Sequence, residues 1–195
     1  MQNTFNLVLR NLPKASALGL LWLLTRLPFR LQMRLGSRIG DLIYRFHHKR
    51  RHIAEVNLRL CFPDTDPALR QKWLKAHFRS LGMTLFETGM AWWPKRHFPA
   101  KVKIEGLEHL REPLSQGQGV LMLGAHFTTL DIGGYLLSRE QDFCVIYREH
   151  KNPLFESVMR RARTRNFQAA IQRRSLRTAI RHLREGQAVW YAPDQ

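Results

Sequence analysis

Residues 117–134, GQGVLMLGAHFTTLDIGG, contain the clearest change of pattern in the chain. A glycine-containing turn leads into the apolar run VLMLG, which is typical of a buried strand. Two threonines follow, and either suits the N-terminus of a helix. A short buried strand that passes directly into a helix is the repeating unit of an α/β domain with a parallel sheet.

The same alternation of strands and helices extends to both sides of this stretch. The apolar runs predict strands at 102–106, 120–124, 143–148 and 188–194. Helical spacing predicts helices at about 107–112, 128–138, 152–165 and 173–186. We therefore assign residues 99–195 to an α/β domain with a mostly parallel sheet. Because the chain stops directly after a strand that we expect to be central, we predict that this domain is incomplete at its C-terminus.

The first half of the chain has a different character. Apolar positions recur at spacings of three and four through residues 1–93, which predicts an almost wholly helical region. Pro63 and the stretch DTDP (64–67) indicate a loop that leads into a helix start. We divide this half into a hydrophobic segment, 1–30, and a helical region, 31–98.

The charge balance requires an anionic partner. The 195 residues carry a net charge of +17, with ten lysines and arginines against one acid between residues 151 and 184. Nucleic acid, anionic lipid or a phosphorylated substrate would each satisfy this excess. Arginine suits phosphate because its planar fork binds oxygens in pairs. The aromatic residues lie in apolar stretches such as MAWW and VWY, away from the arginines, which argues against nucleic-acid stacking.

The N-terminal region is predicted to lie at a membrane. The run ASALGLLWLLT (15–25) is shorter than the roughly 20 residues of a comfortable spanning helix. It therefore indicates either a buried or interfacial amphipathic helix or a short membrane anchor. The basic run HHKRRH (47–52) suits anionic head groups, or a solvated helix face. A signal-peptide cleavage pattern is missing from the N-terminus.

The cysteines and histidines give no metal or disulfide signal. Cys61 and Cys144 are a poor disulfide framework and indicate a reducing compartment. The Cys and His spacings do not match those of zinc ligands, so we expect no structural metal.

His126 and Asp131 form a His-x4-Asp pair at the carboxyl end of the predicted strand 120–124, where ligands approach α/β sheets. The spacing alone is weak, since nine histidines and fifteen acids give roughly 0.7 such matches by chance. In one continuous helix the two side chains would diverge by about 140°. A contact therefore requires His126 in the turn and Asp131 in the first turns of the helix, with Thr128 or Thr129 as N-cap. The alternative is a histidine in a turn with an unrelated helix acid.

Such a pair suits acyl transfer to an alcohol. His126 would act as general base on the attacking hydroxyl, while Asp131 would hold its tautomer. The sequence contains no G-x-S-x-G elbow, so a covalent acyl-enzyme is not indicated. Backbone amides at the helix start after His126 are candidates for an oxyanion site.

Five segments in order resemble the late lauroyl and myristoyl acyltransferases of lipid A biosynthesis in Gram-negative bacteria. These segments are NLRLCFPD (57–64), LGMTLFETGMAWW (81–93), GAHFTTLDIGG (124–134), VIYREHKNPL (145–154) and VWYAPD (189–194). The family's catalytic His-x4-Asp/Glu motif falls on His126 and Asp131. Its functional arginine and the aspartate of Tyr-Ala-Pro-Asp fall on Arg163 and Asp194. We place these two, with Arg148, among residues that bind substrate or organise the site.

The resemblance implies a donor, an acceptor and a location. The donor would be an acyl-acyl carrier protein, and the acceptor a hydroxyl of the phosphorylated, Kdo-bearing lipid A precursor. The enzyme would sit at the cytoplasmic face of the inner membrane, without a metal or organic cofactor. Family members are longer, so the chain is expected to lack about the C-terminal third. Two alternatives stay open: a His-x4-Asp acyltransferase acting on glycerol phosphate lipids, and a basic nucleic-acid-binding protein.

Overall fold

The computed structural model describes residues 2–95 and 102–194, and within these ranges the side chains from residue 12 onward. Eight helices lie in the described part, at α1 Gln2–Leu24, α2 Phe29–Phe46, α3 His48–Cys61, α4 Pro67–Trp92, α5 Leu107–Ser115, α6 Leu130–Leu137, α7 Pro153–Asn166 and α8 Leu176–Arg184. Four strands alternate with the later helices, at β1 Val120–Leu123, β2 Cys144–Tyr147, β3 Ala169–Gln172 and β4 Ala188–Tyr191. The chain divides into two compact units. One runs from Leu20 to Gly89, and the other combines the residues before and after it.

The helical unit is built on a close approach of α2 to α4. A β-carbon added to Gly82 of α4 would lie 2.1 Å from the carbonyl oxygen of Gly36 in α2. One added to Gly40 would lie 2.2 Å from the carbonyl oxygen of Phe78. The two backbones therefore meet without intervening side chains at Gly36 and Gly82, and the backbone of Phe78 packs directly on Gly40. Three large side chains of α4 complete the core of this unit: Leu74, Phe78 and Phe86.

Polar side chains define the ends of the helices in this unit. The buried amide of Gln32 donates from Nε2 to the carbonyl oxygens of Thr25 (3.0 Å) and Leu27 (2.8 Å), which holds the turn before α2. Oδ1 of Asp66 accepts from the backbone N–H groups of Ala68 and Leu69 at the start of α4. The loop and helix start predicted at 64–67 are thus confirmed, as is the helical character of the first half.

Among the described residues, no helix combines the length and the apolar composition needed to cross a membrane.

The second unit is an α/β fold with a parallel sheet, as predicted. Its strands are ordered β1-β4-β2-β3, and every neighbouring pair is parallel. Because β4 is inserted between β1 and β2, the strand that the sequence predicted to be central is indeed internal. All four strands point the same way, so their carboxyl ends meet along one edge of the sheet.

Both faces of the sheet are covered by apolar side chains, as a parallel sheet requires. On one face Cys144, Ile171 and Val189 pack with Ala179 of α8. On the other, Phe143 and Ala188 pack with Leu110 of α5.

Three details of the second half differ from the prediction. Residues 102–105 form no strand and Val102 is 46% exposed, because an apolar alternation makes a strand only where a neighbour pairs with it. Strand β3 was not predicted, since AAIQ is short and rich in alanine, a weak strand former. Thr129 occupies the N-cap position of α6, but its side chain makes no capping hydrogen bond.

The helix crossing generates a stability prediction. We expect Gly82→Ala to lower the free energy of unfolding by about 2 kcal/mol, because the new methyl group must push the α2 backbone away. Urea unfolding followed by circular dichroism measures the change. Gly19→Ala is the matched control: a β-carbon there meets nothing within 4 Å, so the substitution should be neutral or slightly stabilising. Equal effects of the two substitutions would contradict the close crossing.

Candidate active site

Four ionisable residues of the second unit lie just beyond the carboxyl ends of the strands. His126 follows β1, Arg148 follows β2, Arg173 follows β3 and Asp194 follows β4. Parallel pairing of β1 with β4 brings the first and last of these segments together, with the Gly124 N–H donating to the carbonyl oxygen of Tyr191 at 2.8 Å.

Asp194 holds His126 through two hydrogen bonds. The imidazole Nδ1 lies 2.7 Å from Oδ1 of Asp194, and the backbone N–H of His126 donates to Oδ2 at 2.8 Å. The backbone hydrogen bond, followed by that from the imidazole, lowers the pKa of the Asp194 carboxyl. An ionised carboxylate only accepts, so Nδ1 carries the proton. In the neutral imidazole with this tautomer, Nε2 carries the lone pair that a general base needs.

Asp131 lies in the first turn of α6 and His126 in the preceding turn, as the spacing required. The negative charge of Asp131 acts on Arg163 of α7. Burial lowers the pKa of Arg163, and the negative charge of Asp131 is the largest of the charges that oppose this shift. The acid that the sequence paired with the imidazole is therefore electrostatically coupled to Arg163, while Asp194 supplies the hydrogen bonds to His126. The catalytic role of Asp131 stays a prediction.

Arg163 is held with unused hydrogen-bonding capacity. Its guanidinium carbon lies 4.7 Å from the centre of the Tyr147 ring, a cation–π contact. Its Nη1 is buried and has no hydrogen-bond partner among the described residues. A buried cationic donor in this state is costly unless a ligand supplies the acceptor.

His126, Asp131, Tyr147 and Arg163 line one cavity of about 710 Å³ in the α/β unit. Its polar lining residues are His126, Thr129, Asp131, Tyr147, Arg148, Arg163, Arg173 and Tyr191. Most of the remaining wall is apolar, including Phe127, Leu130, Leu137, Phe143, Phe167 and Trp190. The cavity thus combines basic, hydrogen-bonding side chains with an apolar wall.

Glycines keep the cavity open. A β-carbon at Gly124 would lie 2.3 Å from the Trp190 indole, so the strand end and the ring can be neighbours only without a side chain there. A β-carbon at Gly133 would meet nothing within 4 Å, and Gly133 lines the cavity.

Three amides at the start of α6 already have acceptors. The N–H groups of His126, Phe127 and Leu130 donate to Asp194, Ala125 and Phe127 respectively. An oxyanion site at this helix start would have to use other donors, so this expectation stays a prediction.

The described residues contain no group of three or more His, Cys, Asp or Glu side chains arranged to hold a metal ion. The expectations of no metal and no organic cofactor remain predictions.

The sequence of the chain places this site in a known family. Residues 6–195 match the profile described as bacterial lipid A biosynthesis acyltransferase. The chain belongs to this family.

Curated members of the acyltransferase family show the same relationship. The chain is 43% identical over 179 residues to a lipid A biosynthesis palmitoleoyltransferase of Escherichia coli (strain K12) and 38% identical over 178 residues to a lauroyltransferase of the same organism. Each alignment covers 91% of this chain and 58% of the relative. A lipid A biosynthesis acyltransferase of Haemophilus influenzae is 35% identical over 171 residues, covering 86% of this chain and 54% of the relative. The chain thus spans rather more than half the length of these relatives.

Several contacts of this site were not predicted from the sequence. Asp194 was assigned a binding or organising role, and its hydrogen bonds to His126 were not predicted. Arg173 was grouped with the general arginine excess, because β3, the strand that delivers it to the sheet edge, was not predicted. Tyr147 was predicted only as part of a strand, and its contact with Arg163 carries no sequence signal.

The pairing of His126 predicts different effects for two isosteric substitutions. We expect Asp194→Asn to reduce the preference for the Nδ1–H tautomer about tenfold, because a charged acceptor is replaced by a neutral one. Long-range ¹H–¹⁵N spectra of the imidazole measure the tautomer ratio. Asp131→Asn is the matched control and should leave that ratio nearly unchanged. A larger change in Asp131→Asn would make Asp131 the partner of the imidazole.

Proposed function

We propose that this chain carries the catalytic site of an acyltransferase of lipid A biosynthesis. It moves a fatty acyl chain from acyl-acyl carrier protein to a hydroxyl of the phosphorylated, Kdo-bearing lipid A precursor. The reaction takes place at the cytoplasmic face of the inner membrane. The observation that carries the proposal is the hydrogen-bonded His126–Asp194 pair at one cavity with arginines and an apolar wall.

In the proposed reaction, His126 acts through Nε2. This nitrogen accepts the proton of the acceptor hydroxyl while the oxygen attacks the thioester carbonyl. A carbon–oxygen bond forms, the carbon–sulfur bond breaks, and the proton passes from the imidazolium to the leaving thiolate. Asp194 keeps Nδ1 protonated and stabilises the imidazolium between these two steps.

The apolar wall of the cavity suits the acyl chain. A volume of about 710 Å³ lies within the range of about 300–1,000 Å³ that small-molecule sites occupy. Lauroyl or myristoyl is the chain we expect from the family resemblance, although one relative's name specifies palmitoleoyl. The space beside Gly133 gives the chain room to extend along α6.

The arginines of the same cavity suit phosphate. Arg148, Arg163 and Arg173 line it, and Arg163 has a buried donor without a partner. Arg173 follows β3, three strands from His126 in the order β1-β4-β2-β3, which is about 14 Å at ordinary strand spacing. This separation fits an elongated substrate whose phosphate and reacting hydroxyl bind at different places.

The substrate test uses labelled lauroyl-, myristoyl- and palmitoleoyl-acyl carrier protein with two acceptors, Kdo-bearing lipid A precursor and lysophosphatidate. We expect acylation of the lipid A precursor alone. Transfer to lysophosphatidate alone would establish the glycerolipid alternative.

The 195-residue chain is assayed beside a chimera in which residues 6–194 replace the matching part of the E. coli palmitoleoyltransferase. If the chimera is active and the 195-residue chain is not, the reaction requires residues that the E. coli enzyme contributes to the chimera.

The general base gives a second test. We expect His126→Ala to reduce the turnover of the active form by about 10³-fold or more, because the hydroxyl then loses its proton acceptor. His126→Gln is the matched polar control and should lose as much, since an amide accepts no proton near neutral pH. Unchanged turnover in either variant would remove His126 from the proposed chemistry.

The acyl site makes a prediction about chain length. A leucine side chain at position 133 has room to form and would fill part of the cavity. We therefore expect Gly133→Leu to lower kcat/KM for myristoyl donor about tenfold relative to decanoyl donor. Competition between the two labelled donors measures this ratio. Gly19→Leu lies outside the lining of the cavity and should leave the ratio unchanged.

A further inference from the structure

Helix α2 turns its small and polar residues inward. The buried residues of α2 are Gln32, Gly36 and Gly40. The two glycines lie against the backbone of α4, and Gln32 is used to hold the turn before the helix. The fully buried positions of α2 therefore carry no large apolar side chain, and Ile39 and Ile43 beside them are only partly buried.

Four large apolar side chains of α2 instead point to solvent. Leu31, Leu35, Leu42 and Phe46 are 40%, 36%, 55% and 66% exposed. At about 100° per residue they fall within about 60° of the helix circumference and form one stripe. The centre of this stripe lies about 110° from that of the buried face. An amphipathic helix of a water-soluble protein ordinarily points its apolar residues to the core, whereas this stripe of α2 lies outside the packed face.

Arginines border the exposed stripe on the side away from the buried face. Arg34, Arg38 and Arg45 are all exposed and fall within about 40° of one another, about 70° from the centre of the stripe. Asp41, the single acid of α2, pairs with Arg79 of α4 through a 2.7 Å contact between Oδ1 and Nε. The border therefore presents positive charge that the helix itself does not neutralise.

The sequence of buried face, apolar stripe and arginine border around α2 fits a lipid surface better than a protein partner. Burial of the stripe in a protein core would bring the arginine border close to a low-dielectric interior, where each charge needs a partner. At the surface of an anionic bilayer, the apolar stripe enters the boundary between head groups and acyl chains. The arginine side chains reach outward from the same depth to the lipid phosphates.

We propose that α2 lies in the plane of an anionic phospholipid bilayer. Leu31, Leu35, Leu42 and Phe46 enter the acyl boundary, and Arg34, Arg38 and Arg45 contact head-group phosphates. This inference rests on the membrane location proposed above. It names α2 as the surface that contacts the membrane, in addition to the segments 15–25 and 47–52 that the sequence indicated. It is independent of the catalytic site.

The test measures partition of the protein onto vesicles by sedimentation. Vesicles of phosphatidylcholine alone are compared with vesicles that also contain phosphatidylglycerol. We expect Leu35→Ser/Leu42→Ser/Phe46→Ser to weaken binding to the anionic vesicles about 100-fold, through lost apolar burial. Arg34→Gln/Arg38→Gln/Arg45→Gln should weaken binding to a similar extent on anionic vesicles and have little effect on neutral ones.

A matched control comes from α8. Leu176 and Ile180 are 54% and 48% exposed and also stand among arginines, so Leu176→Ser/Ile180→Ser removes comparable apolar surface elsewhere. This variant should keep wild-type vesicle binding. An equal loss in the α8 variant, or no loss in the α2 variants, would overturn the proposal. A change in oligomeric state without a change in vesicle binding would assign the stripe to a second copy of the chain and also overturn it.

A fluorescent label reports the orientation of α2. In a Cys61→Ser background, a polarity-sensitive label on Leu42→Cys should shift to the blue when anionic vesicles are added. The same label on Ser37→Cys, about 150° away from the stripe, should not shift. A blue-shifted label at residue 42 before vesicles are added would show that protein covers the stripe, which contradicts the proposal.

The readouts separate this inference from the proposed function. The α2 variants should keep wild-type acyl transfer when both substrates are presented in detergent micelles. His126→Ala should bind vesicles as the wild type does. Loss of transfer in micelles in the α2 variants would mean that α2 acts in the reaction itself, and would overturn a purely lipid-binding role.

Discussion

The contact between His126 and Asp194 depends on the position of β4 in the sheet. The two residues are 68 positions apart, and they meet because β4 is hydrogen-bonded directly to β1. Parallel strands end at the same edge, so each residue is delivered just beyond the end of its strand. The backbone N–H of His126 also donates to Asp194, which ties the segment that follows β1 to the segment that follows β4. A change that moved β4 would therefore remove the tautomer control and the local backbone geometry together.

The same edge of the sheet combines an apolar surface with a basic one. The aromatic and aliphatic wall lowers the dielectric around the arginines, which makes them effective phosphate donors but costly to leave without an anion. Arg163 carries this cost most clearly: burial lowers its pKa, while the charge of Asp131 and the ring of Tyr147 stabilise its cationic form. In the proposed reaction, the acid of the His-x4-Asp motif, Asp131, thus stabilises a buried cation in the cavity that His126 also lines.

The helical unit obeys a different constraint. Its glycines allow the α2 and α4 backbones to pack so closely that no large apolar side chain of α2 is fully buried. Leu31, Leu35, Leu42 and Phe46 lie on the outside, beside arginines. Helix α2 therefore contributes both to the packing of this unit and to the surface that we propose to lie on the bilayer.

The sequence by itself determined most of the helices and strands and the family to which the chain belongs. Periodicity predicted the helical first half and the β1–α6 unit, and the motif order predicted the family. These features are local, so residues near one another in the chain suffice to specify them. Spacing also singled out His126, because a histidine after a buried strand must lie at the carboxyl edge of a parallel sheet.

Only the tertiary structure decided which residues meet. The spacing His-x4-Asp suggested Asp131 as a partner of the imidazole, whereas the contact of Asp194 with the imidazole comes from strand order. Strand β3 and the position of Arg173 escaped prediction because Ala169–Gln172 becomes a strand through pairing with β2. The outward direction of the α2 stripe was equally hidden, since periodicity reveals that a helix has an apolar face but not which way it points. In each case, the deciding interaction joins residues that are distant in sequence, and a local pattern does not record it.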